Sequence, residues 1–223
     1  MKMSAAHPSI LALALGLSLA GLATPAAAET VIDFDDVDIP GDTELTTFSP
    51  YQEDGYTLTA TNPPTGFSSG LVFYGENSIF YAGSQAASTF APDNAPFNIL
   101  ELTNDAGTPF ALESIDLARN FAFDPAPTVT FTGVKVGGAE VMQSFTVTTP
   151  VGVAEFQTFA FSSDFSDLVA LRWGQPILSQ GLHQFDNIRI QAIPEPGTAG
   201  LLAVGALAIG AARLVRRRPG LPA

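Results

Sequence analysis

The chain has 223 residues, no cysteine and a formal net charge of −13 at pH 7. Without cysteine, neither disulfide bonds nor thiol chemistry can operate. Five of the nine basic residues lie at the two ends of the sequence, so residues 29–193 hold 21 carboxylates against Arg119, Lys135, Arg172 and Arg189, a net charge of −17. A surface this acidic repels phosphate backbones, which argues against nucleic acid as a partner and leaves divalent cations and neutral polymers.

The first 28 residues have the pattern of an export signal. Lys2 precedes an apolar run over residues 10–22, and three alanines ending at Ala28 follow a proline. A basic start, an apolar middle and a small-residue cleavage site are typical of a secretory signal peptide. We therefore expect a helical signal peptide over residues 1–28, which signal peptidase removes after Ala28.

Residues 29–193 are predicted to form one all-β domain. Apolar and polar residues alternate there in short runs separated by Gly, Pro, Asn and Asp, and no long helical period occurs. This pattern predicts strands with one buried face. The predicted strands are TVIDFDD, GYTLTAT, SGLVFY, NILELT, FALESIDLA, TVTFTGVKV, EVMQSFTVT, EFQTFAFS, DLVALRW and QFDNIRI. Ten short strands, with 17 phenylalanines to fill the core, predict an antiparallel two-sheet β-sandwich.

The segment TVTFTGVKVGGAEVMQSFTVT has the clearest local signal. Its adjacent glycines can take the positive φ values that a two-residue hairpin turn requires, so a β-hairpin is predicted. Before the turn, Val129 and Phe131 share one face of the strand, whereas Val134 and Val136 share the other. The apolar phase changes at Gly133, and we predict a β-bulge there.

The end of the chain joins three features in a fixed order. The triplet Pro194, Glu195 and Pro196 precedes an uncharged apolar run over residues 197–212. The run is closed by Arg213, Arg216, Arg217 and Arg218. An apolar run stopped by arginines predicts a transmembrane helix whose basic end faces the cytoplasm. Residues 219–223 then form a cytoplasmic tail.

The triplet, span and basic end of residues 194–218 resemble the PEP-CTERM sorting signal of bacterial exported proteins. The resemblance implies that an exosortase processes the chain at the triplet and that the span holds the precursor in the inner membrane. The product would then reach the cell surface or extracellular matrix of a Gram-negative bacterium. The alternative is a plain C-terminal anchor that no enzyme cuts, because the apolar run is shorter than the roughly 20 residues of a full crossing.

The segments VIDFDD, FALESIDLA and HQFDNIRI resemble the β-sandwich ectodomains that often precede this sorting signal. More distantly they resemble jelly-roll carbohydrate-binding modules, in which an Asp near the last strand often helps to bind a structural calcium ion. Asp186 in HQFDNIRI matches that position. The resemblance therefore implies a jelly-roll-like sandwich with calcium as its one expected cofactor.

Alternation along the last strand turns Asp186 inward, together with two isoleucines. A buried carboxylate without a partner is costly, so Asp186 needs one. The candidates are Arg189 or Arg172, backbone N–H groups, or a calcium ion shared with Asp33 or Asp36 of the acidic opening.

Catalysis is the alternative function. The segment GFSSG around Ser68 matches the G-x-S-x-G pattern of a nucleophilic serine, but the strand and helix that this motif joins are missing. A catalytic triad would have to use His183, the only histidine after the signal peptide. Glu113 and Asp116 fall on opposite faces of one strand, so they do not form a glycosidase pair. The alternative kept open is an extracellular hydrolase that acts on polysaccharide or ester.

We expect a non-catalytic surface or matrix protein that associates with exopolysaccharide. Long loops between residues 40 and 96 are the expected binding region. Exposed aromatic rings would supply a stacking platform, and core packing is the alternative for each ring. The candidate rings are Phe73, Tyr74, Phe80, Tyr81 and Trp173. Alternation with Val169 and Leu171 turns Trp173 inward.

Overall fold

The computed structural model describes residues 29–48, 50–61, 70–89, 99–123, 125–150, 155–174 and 181–193. These ranges contain the strands β1 (Glu29–Ile32), β2 (Glu44–Phe48), β3 (Tyr51–Glu53), β4 (Tyr56–Thr61), β5 (Gly70–Tyr74), β6 (Ala86–Thr89), β7 (Ile99–Asn104), β8 (Phe110–Arg119), β9 (Thr128–Lys135), β10 (Glu140–Thr146), β11 (Gln157–Ala160), β12 (Leu168–Gly174) and β13 (His183–Ala192). A turn of 3-10 helix, Pro40–Asp42, is the one helical element in the same ranges. The described part of the chain is therefore all-β, as its alternating pattern predicts.

All ten predicted segments contain a strand. Three further strands, β2, β3 and β6, lie in the irregular region between residues 40 and 96. Strand β6 has the sequence AAST, whose small residues have little intrinsic β propensity. It is extended because it pairs with β5 on one side and with β13 on the other. The partner strands, rather than the local sequence, give these residues their conformation.

The strands form one antiparallel sheet that curls into two packed layers. Layer A has the order β2-β5-β6-β13-β8, with β1 beside β13 and β11 beside β8. Layer B has the order β12-β7-β4-β3, with β9 beside β12 and β10 beside β9. The layers are joined where Leu168 of β12 pairs with Phe110 of β8. The two predicted sheets are therefore two halves of one sheet.

The predicted signal helix over residues 1–28 and the predicted transmembrane helix over residues 194–218 lie outside the described residues. Within the described ranges, no helix has the length and apolar character needed to cross a membrane.

The inner faces of the two layers meet in a core rich in aromatic rings. Trp173 of β12 packs edge-on against Phe185 of β13, with ring centroids 5.1 Å apart. Phe131 of β9 lies 5.6 Å from Trp173, and Phe34, after β1, lies 5.7 Å from Phe185. All four side chains are buried, which confirms the inward position of Trp173. Replacing one such phenylalanine by alanine costs about 3–5 kcal/mol, so these rings are a main source of stability.

The hairpin of β9 and β10 forms as predicted, but with a longer turn. Lys135 donates its N–H to Ala139 O at 2.8 Å, so the loop has three residues rather than the predicted two. Gly137 and Gly138 both have positive φ, at 91° and 86°. The two glycines thus serve the turn, as their sequence position indicates.

The predicted bulge at Gly133 is wrong. Every residue of β10 pairs with β9 in an unbroken register that passes through Gly133. Gly133 points into the core, where a Cβ atom would lie 2.8 Å from Leu168 Cδ2 and 3.2 Å from Phe165 Cδ1. The strand needs glycine here because a side chain would collide with the core, and not because the buried face of the strand changes. Val136 accordingly stays exposed at the hairpin end.

The irregularity lies in β12 instead. Its register with β9 shifts between Leu168 and Ala170, next to Asp167 with φ 56°. The shift leaves Val169 41% exposed. The prediction that Val169 shares the inner face with Trp173 is therefore wrong.

The two layers differ on their outer faces. On layer A, some outward side chains, among them Tyr74 and Gln184, are buried because residues 75–85, between β5 and β6, fold over them. The Phe80 ring covers Tyr74 with a centroid distance of 5.0 Å, and Gln184 donates Nε2–H to Phe80 O at 2.8 Å. On layer B, Thr130, Ser144 and Arg172 face solvent, and none of the described segments covers them in this way.

Candidate functional site

The outer face of layer B is a broad polar surface. Five strands in the order β10-β9-β12-β7-β4 form it, and at a spacing of about 4.8 Å they span about 19 Å. Strand alternation lines the surface with hydroxyl groups, and we call it the threonine face. Its residues are Thr57, Thr59, Ile99, Glu101, Thr103, Thr128, Thr130, Thr132, Glu140, Met142, Ser144, Thr146 and Arg172, all exposed or half-buried.

The strand register brings side chains of the threonine face into rows. Thr132 of β9 lies opposite Arg172 of β12, which lies opposite Glu101 of β7. Glu101 in turn lies opposite Thr59 of β4. Arg172 donates Nε–H to Glu101 Oε2 at 2.5 Å. Because an exposed ion pair adds only about 0–1 kcal/mol to stability, this pair mainly fixes the orientation of the guanidinium group.

Hydroxyl pairs hold the adjoining part of the threonine face. Thr130 and Ser144 lie with their hydroxyl oxygens 2.8 Å apart across β9 and β10, and Thr128 and Thr146 repeat that contact at 2.8 Å. In each pair one hydroxyl donates to the other. Since a hydroxyl has one donor and two acceptor sites, each pair keeps one O–H and several lone pairs for a ligand.

A shallow groove of about 270 Å³ crosses the threonine face. It is lined by Ile99, Thr130, Thr132, Glu140, Arg172, Trp173 and Gly174. Gly174 pairs with Ile99 of β7 and has no side chain to fill the space next to it. The walls offer hydroxyls, a guanidinium group and a carboxylate around one apolar contact, Ile99, which is 36% exposed.

Among the described residues, the groove has binding groups but no nucleophile with a base beside it. His183 is buried at the start of β13, on the other layer. Burial lowers the pKa of His183 to about 3, so the imidazole is neutral and shielded from solvent. Glu101, the carboxylate closest to Arg172, is held in its ion pair. The described residues of the groove thus offer hydroxyl, guanidinium and carboxylate groups.

Asp186 is buried, but its predicted place on the inner face beside two isoleucines is wrong. Phe185, Ile188 and Ile190 lie in the core, and the register shift at Asn187 leaves Asp186 on the outer side of the layer, where its partners are neutral donors. Ser84 donates its hydroxyl to Oδ2, and Asn187 donates its backbone N–H to Oδ1 at 2.7 Å and its Nδ2–H to Oδ2 at 3.1 Å. Asn187 adopts φ 46°, and the register with β8 shifts there, which turns its N–H toward the carboxyl group. Burial raises the pKa of Asp186 to about 7 in spite of these bonds.

Of the proposed partners of Asp186, the backbone N–H is confirmed and the arginines are wrong. Arg189 pairs with Glu29, with Nη1 2.9 Å from Oε1, and Arg172 pairs with Glu101 on the other layer. Both arginines stay near the surface, where a charged group keeps its hydration.

The proposed calcium ligands do not share one cluster. Asp33 Oδ1 accepts the backbone N–H of Asp35 at 3.1 Å in the turn after β1, and Asp36 is exposed. Across the described ranges, no group of three or more His, Cys, Asp or Glu residues is placed to hold a metal ion. A calcium ion at Asp186 would have to displace the donors from Ser84 and Asn187. The calcium site stays a prediction.

Three of the five rings proposed as a stacking platform pack inside the protein. Phe73, Tyr74 and Trp173 are buried, and Phe80 and Tyr81 are half-buried. The alternative of core packing is therefore right for the first three.

The sequence analysis missed a pair of exposed rings after β8. Phe123 is 70% exposed, and its centroid lies 5.7 Å from that of Phe121. Phe121 also lies 5.9 Å from Phe80. The segment NFAF continues the apolar alternation of β8, which would place both rings in the core. They lie outside the core because β8 ends at Arg119.

The remaining predicted positions lie outside the described residues. They are Ala28, Ser68, Pro194, Glu195, Pro196, Arg213, Arg216, Arg217 and Arg218.

No family model and no curated protein matches this chain. Solved structures with a similar arrangement include a carbohydrate-binding module of family 29, with a TM-score of 0.42 and 11% identity over 74% of this chain and 88% of the module. A mutant family 29 module complexed with mannohexaose has a TM-score of 0.40 and 12% identity over 74% of this chain and 92% of the module. The family 29 module from Piromyces equi has a TM-score of 0.37 and 13% identity over 77% of this chain and 95% of the module. Likeness at this level assigns no ligand to this chain.

Proposed function

We propose that this chain is an exported, non-catalytic protein whose β-sandwich binds glycan on the threonine face. The observation on which the proposal rests is the groove at Gly174, where hydroxyl, guanidinium and carboxylate groups surround the exposed Ile99. None of the segments that the structure describes covers the outer face of layer B, which gives a ligand access to this groove.

The chemistry of the groove suits a sugar polymer. Sugar rings have hydroxyl groups at their edges, which both donate and accept, and C–H groups on their faces. Thr130, Thr132 and Arg172 supply donors and acceptors, and Ile99 supplies an apolar contact. An open groove also allows a polymer to continue in both directions, whereas an enclosed pocket would hold a single small molecule.

A protein partner fits the threonine face less well. The residues that dominate protein interfaces are Trp, Tyr and Arg, and Ser and Thr are under-represented among them. The threonine face has hydroxyl residues on four of its five strands and no aromatic side chain among its outward residues. These features support a ligand recognised through many separate hydrogen bonds.

The ends of the sequence support the exported part of the proposal. The signal pattern before Ala28 and the order of triplet, apolar run and arginines from Pro194 to Arg218 favour export and a membrane-held precursor. Exosortase would then release the sandwich to the cell surface or matrix of a Gram-negative bacterium. The polymer bound there would be exopolysaccharide.

Two matched arginines test the glycan site. Arg172 and Arg189 have side chains 45% and 41% exposed, each in an ion pair, but they lie on different layers. In affinity electrophoresis against neutral polysaccharides, Arg172→Ala should weaken retention about tenfold or more, because a hydrogen bond from a charged group contributes about 1.5–3 kcal/mol. Arg189→Ala should behave as wild type. Equal loss in both variants, or in neither, would place the site elsewhere.

A second pair of variants keeps the charge constant. Thr130→Val removes a groove hydroxyl, and Thr158→Val removes an exposed strand hydroxyl on β11 of layer A. Weaker binding is expected only for Thr130→Val. Equal weakening in both variants would show that the effect does not come from the groove.

Mass spectrometry of the mature protein from its host tests the export part. The expected product begins at Glu29 and lacks the residues that follow the Pro194–Pro196 triplet. A product that still ends at Ala223 would contradict processing.

A further inference from the structure

The charges around the groove indicate which class of glycan it accepts, an inference that rests on the proposed function. We propose that the groove selects uncharged and amino-bearing polysaccharides and rejects polymers with carboxylate or sulfate groups.

The one arginine in the groove is already neutralised. Arg172 Nε lies 2.5 Å from Glu101 Oε2, so its charge is compensated and one of its donors is used. An anionic sugar bound to the remaining guanidinium N–H groups of Arg172 would lie beside the Glu101 carboxylate, which repels it. A neutral hydroxyl can accept from the remaining guanidinium N–H groups without breaking the pair.

The other three cations of residues 29–193 do not serve the groove. Arg119 is buried and donates Nη2–H to Thr149 O at 2.7 Å. Arg189 pairs with Glu29 on layer A. Lys135 falls on the opposite phase of β9 from Thr130 and Thr132, by strand alternation. An anionic polymer therefore meets no uncompensated cation on the threonine face.

The groove also contains an exposed carboxylate. Glu140 lines the groove, whereas Glu101, in the same row as Arg172, is held in the ion pair. Residues 29–193 as a whole have 21 carboxylates. An amino group on the ligand would be attracted to Glu140, whereas a uronate would be repelled both locally and by the field of the whole domain.

The test uses the 223-residue chain and three polymers at pH 6. The polymers are hydroxyethylcellulose (neutral), chitosan (cationic) and polygalacturonate (anionic). In about 10 mM salt, wild type should bind polygalacturonate at least tenfold more weakly than hydroxyethylcellulose, and the gap should narrow in about 1 M salt, where charges are screened beyond about 3 Å. Glu140→Gln should weaken binding to chitosan and strengthen binding to polygalacturonate, so the ratio of the two affinities should fall.

Glu113→Gln is the matched control, because Glu113 is an exposed strand carboxylate on layer A. It makes the same change in net charge outside the groove. If Glu113→Gln shifts the preference as much as Glu140→Gln, the selection comes from net charge and the assignment to the groove is overturned. If wild type binds polygalacturonate as well as the neutral polymer, the inference fails while glycan binding stands. If wild type retains none of the three polymers, and no neutral polysaccharide of a wider panel, the proposed function fails and this inference with it.

Discussion

Replacing Asp186 by asparagine should change how stability depends on pH. The substitution keeps the shape of the side chain and an oxygen that can accept from Ser84 or Asn187, but removes the ionisable group. Burial raises the pKa of Asp186 from 3.8 to about 7, so between these values the folded chain holds a proton that the unfolded chain releases. Its contribution to stability is complete below about pH 4 and is lost as the pH rises through 7.

The size of the effect follows from that interval. Each proton of difference between the folded and unfolded states changes the free energy of unfolding by about 1.4 kcal/mol per pH unit. Over roughly three pH units, the largest possible change in the free energy of unfolding is about 4 kcal/mol. Glu53, whose pKa burial also raises, is present in both proteins and cancels in the comparison. Asp186→Asn should therefore gain stability relative to wild type as the pH rises from 4 to 7.

Urea unfolding of both proteins at unit steps from pH 4 to pH 8 measures this difference. Glu113→Gln, which removes an exposed carboxylate from the neighbouring strand, should follow wild type at every pH. Parallel curves for wild type and Asp186→Asn would show that the buried carboxyl ionises at no cost, which would refute the reasoning.

Three further predictions concern a histidine, a glycine and the calcium site. Burial lowers the pKa of His183 to about 3, so below about pH 6.5 this imidazole binds a proton in the unfolded chain but not in the folded chain. Acidification should therefore lower the free energy of unfolding of wild type by up to about 1.4 kcal/mol per pH unit, and His183→Gln should lack this loss. Urea midpoints that are identical at pH 7 and pH 5 in both proteins would contradict this prediction. Gly133→Ala should cost about 1–3 kcal/mol by overpacking against Leu168, and adding Leu168→Ala should make the alanine harmless; calorimetry that finds no loss for Gly133→Ala would show that the core has room there. If Asp33, Asp36 and Asp186 bind calcium, excess calcium should raise the melting temperature of wild type and leave that of Asp186→Ala unchanged, whereas no response to calcium or to a chelator would discard the site.

The strands could be predicted because their signal is local. Alternation of apolar and polar residues depends on neighbouring positions, and it located ten strands and the hairpin. The same local reasoning failed at Gly133, because the requirement for glycine comes from Leu168 and Phe165, which are distant in the sequence. It also missed β6, whose extended form depends on the strands beside it.

The candidate site depends on strand order, which the sequence does not reveal. The pattern Thr-x-Thr-x-Thr is visible in β4 and in β9, but nothing local indicates that β7 and β12 lie between them. The groove then needs Gly174 to face outward beside Ile99, a contact between residues 75 positions apart. Asp186 shows the same limit, since alternation placed it on the inner face, whereas the register shift at Asn187 leaves it on the outer side beside Ser84, which lies 102 residues away.

The central claim is that the threonine face binds a neutral glycan. The most direct measurement is an amide NMR titration of the chain with the neutral oligosaccharide that it binds most tightly on a glycan array. We predict chemical shift changes clustered at Ile99, Thr130, Thr132, Arg172 and Gly174. Changes clustered at Phe121 and Phe123 instead, or an array on which no neutral glycan is bound, would contradict the claim.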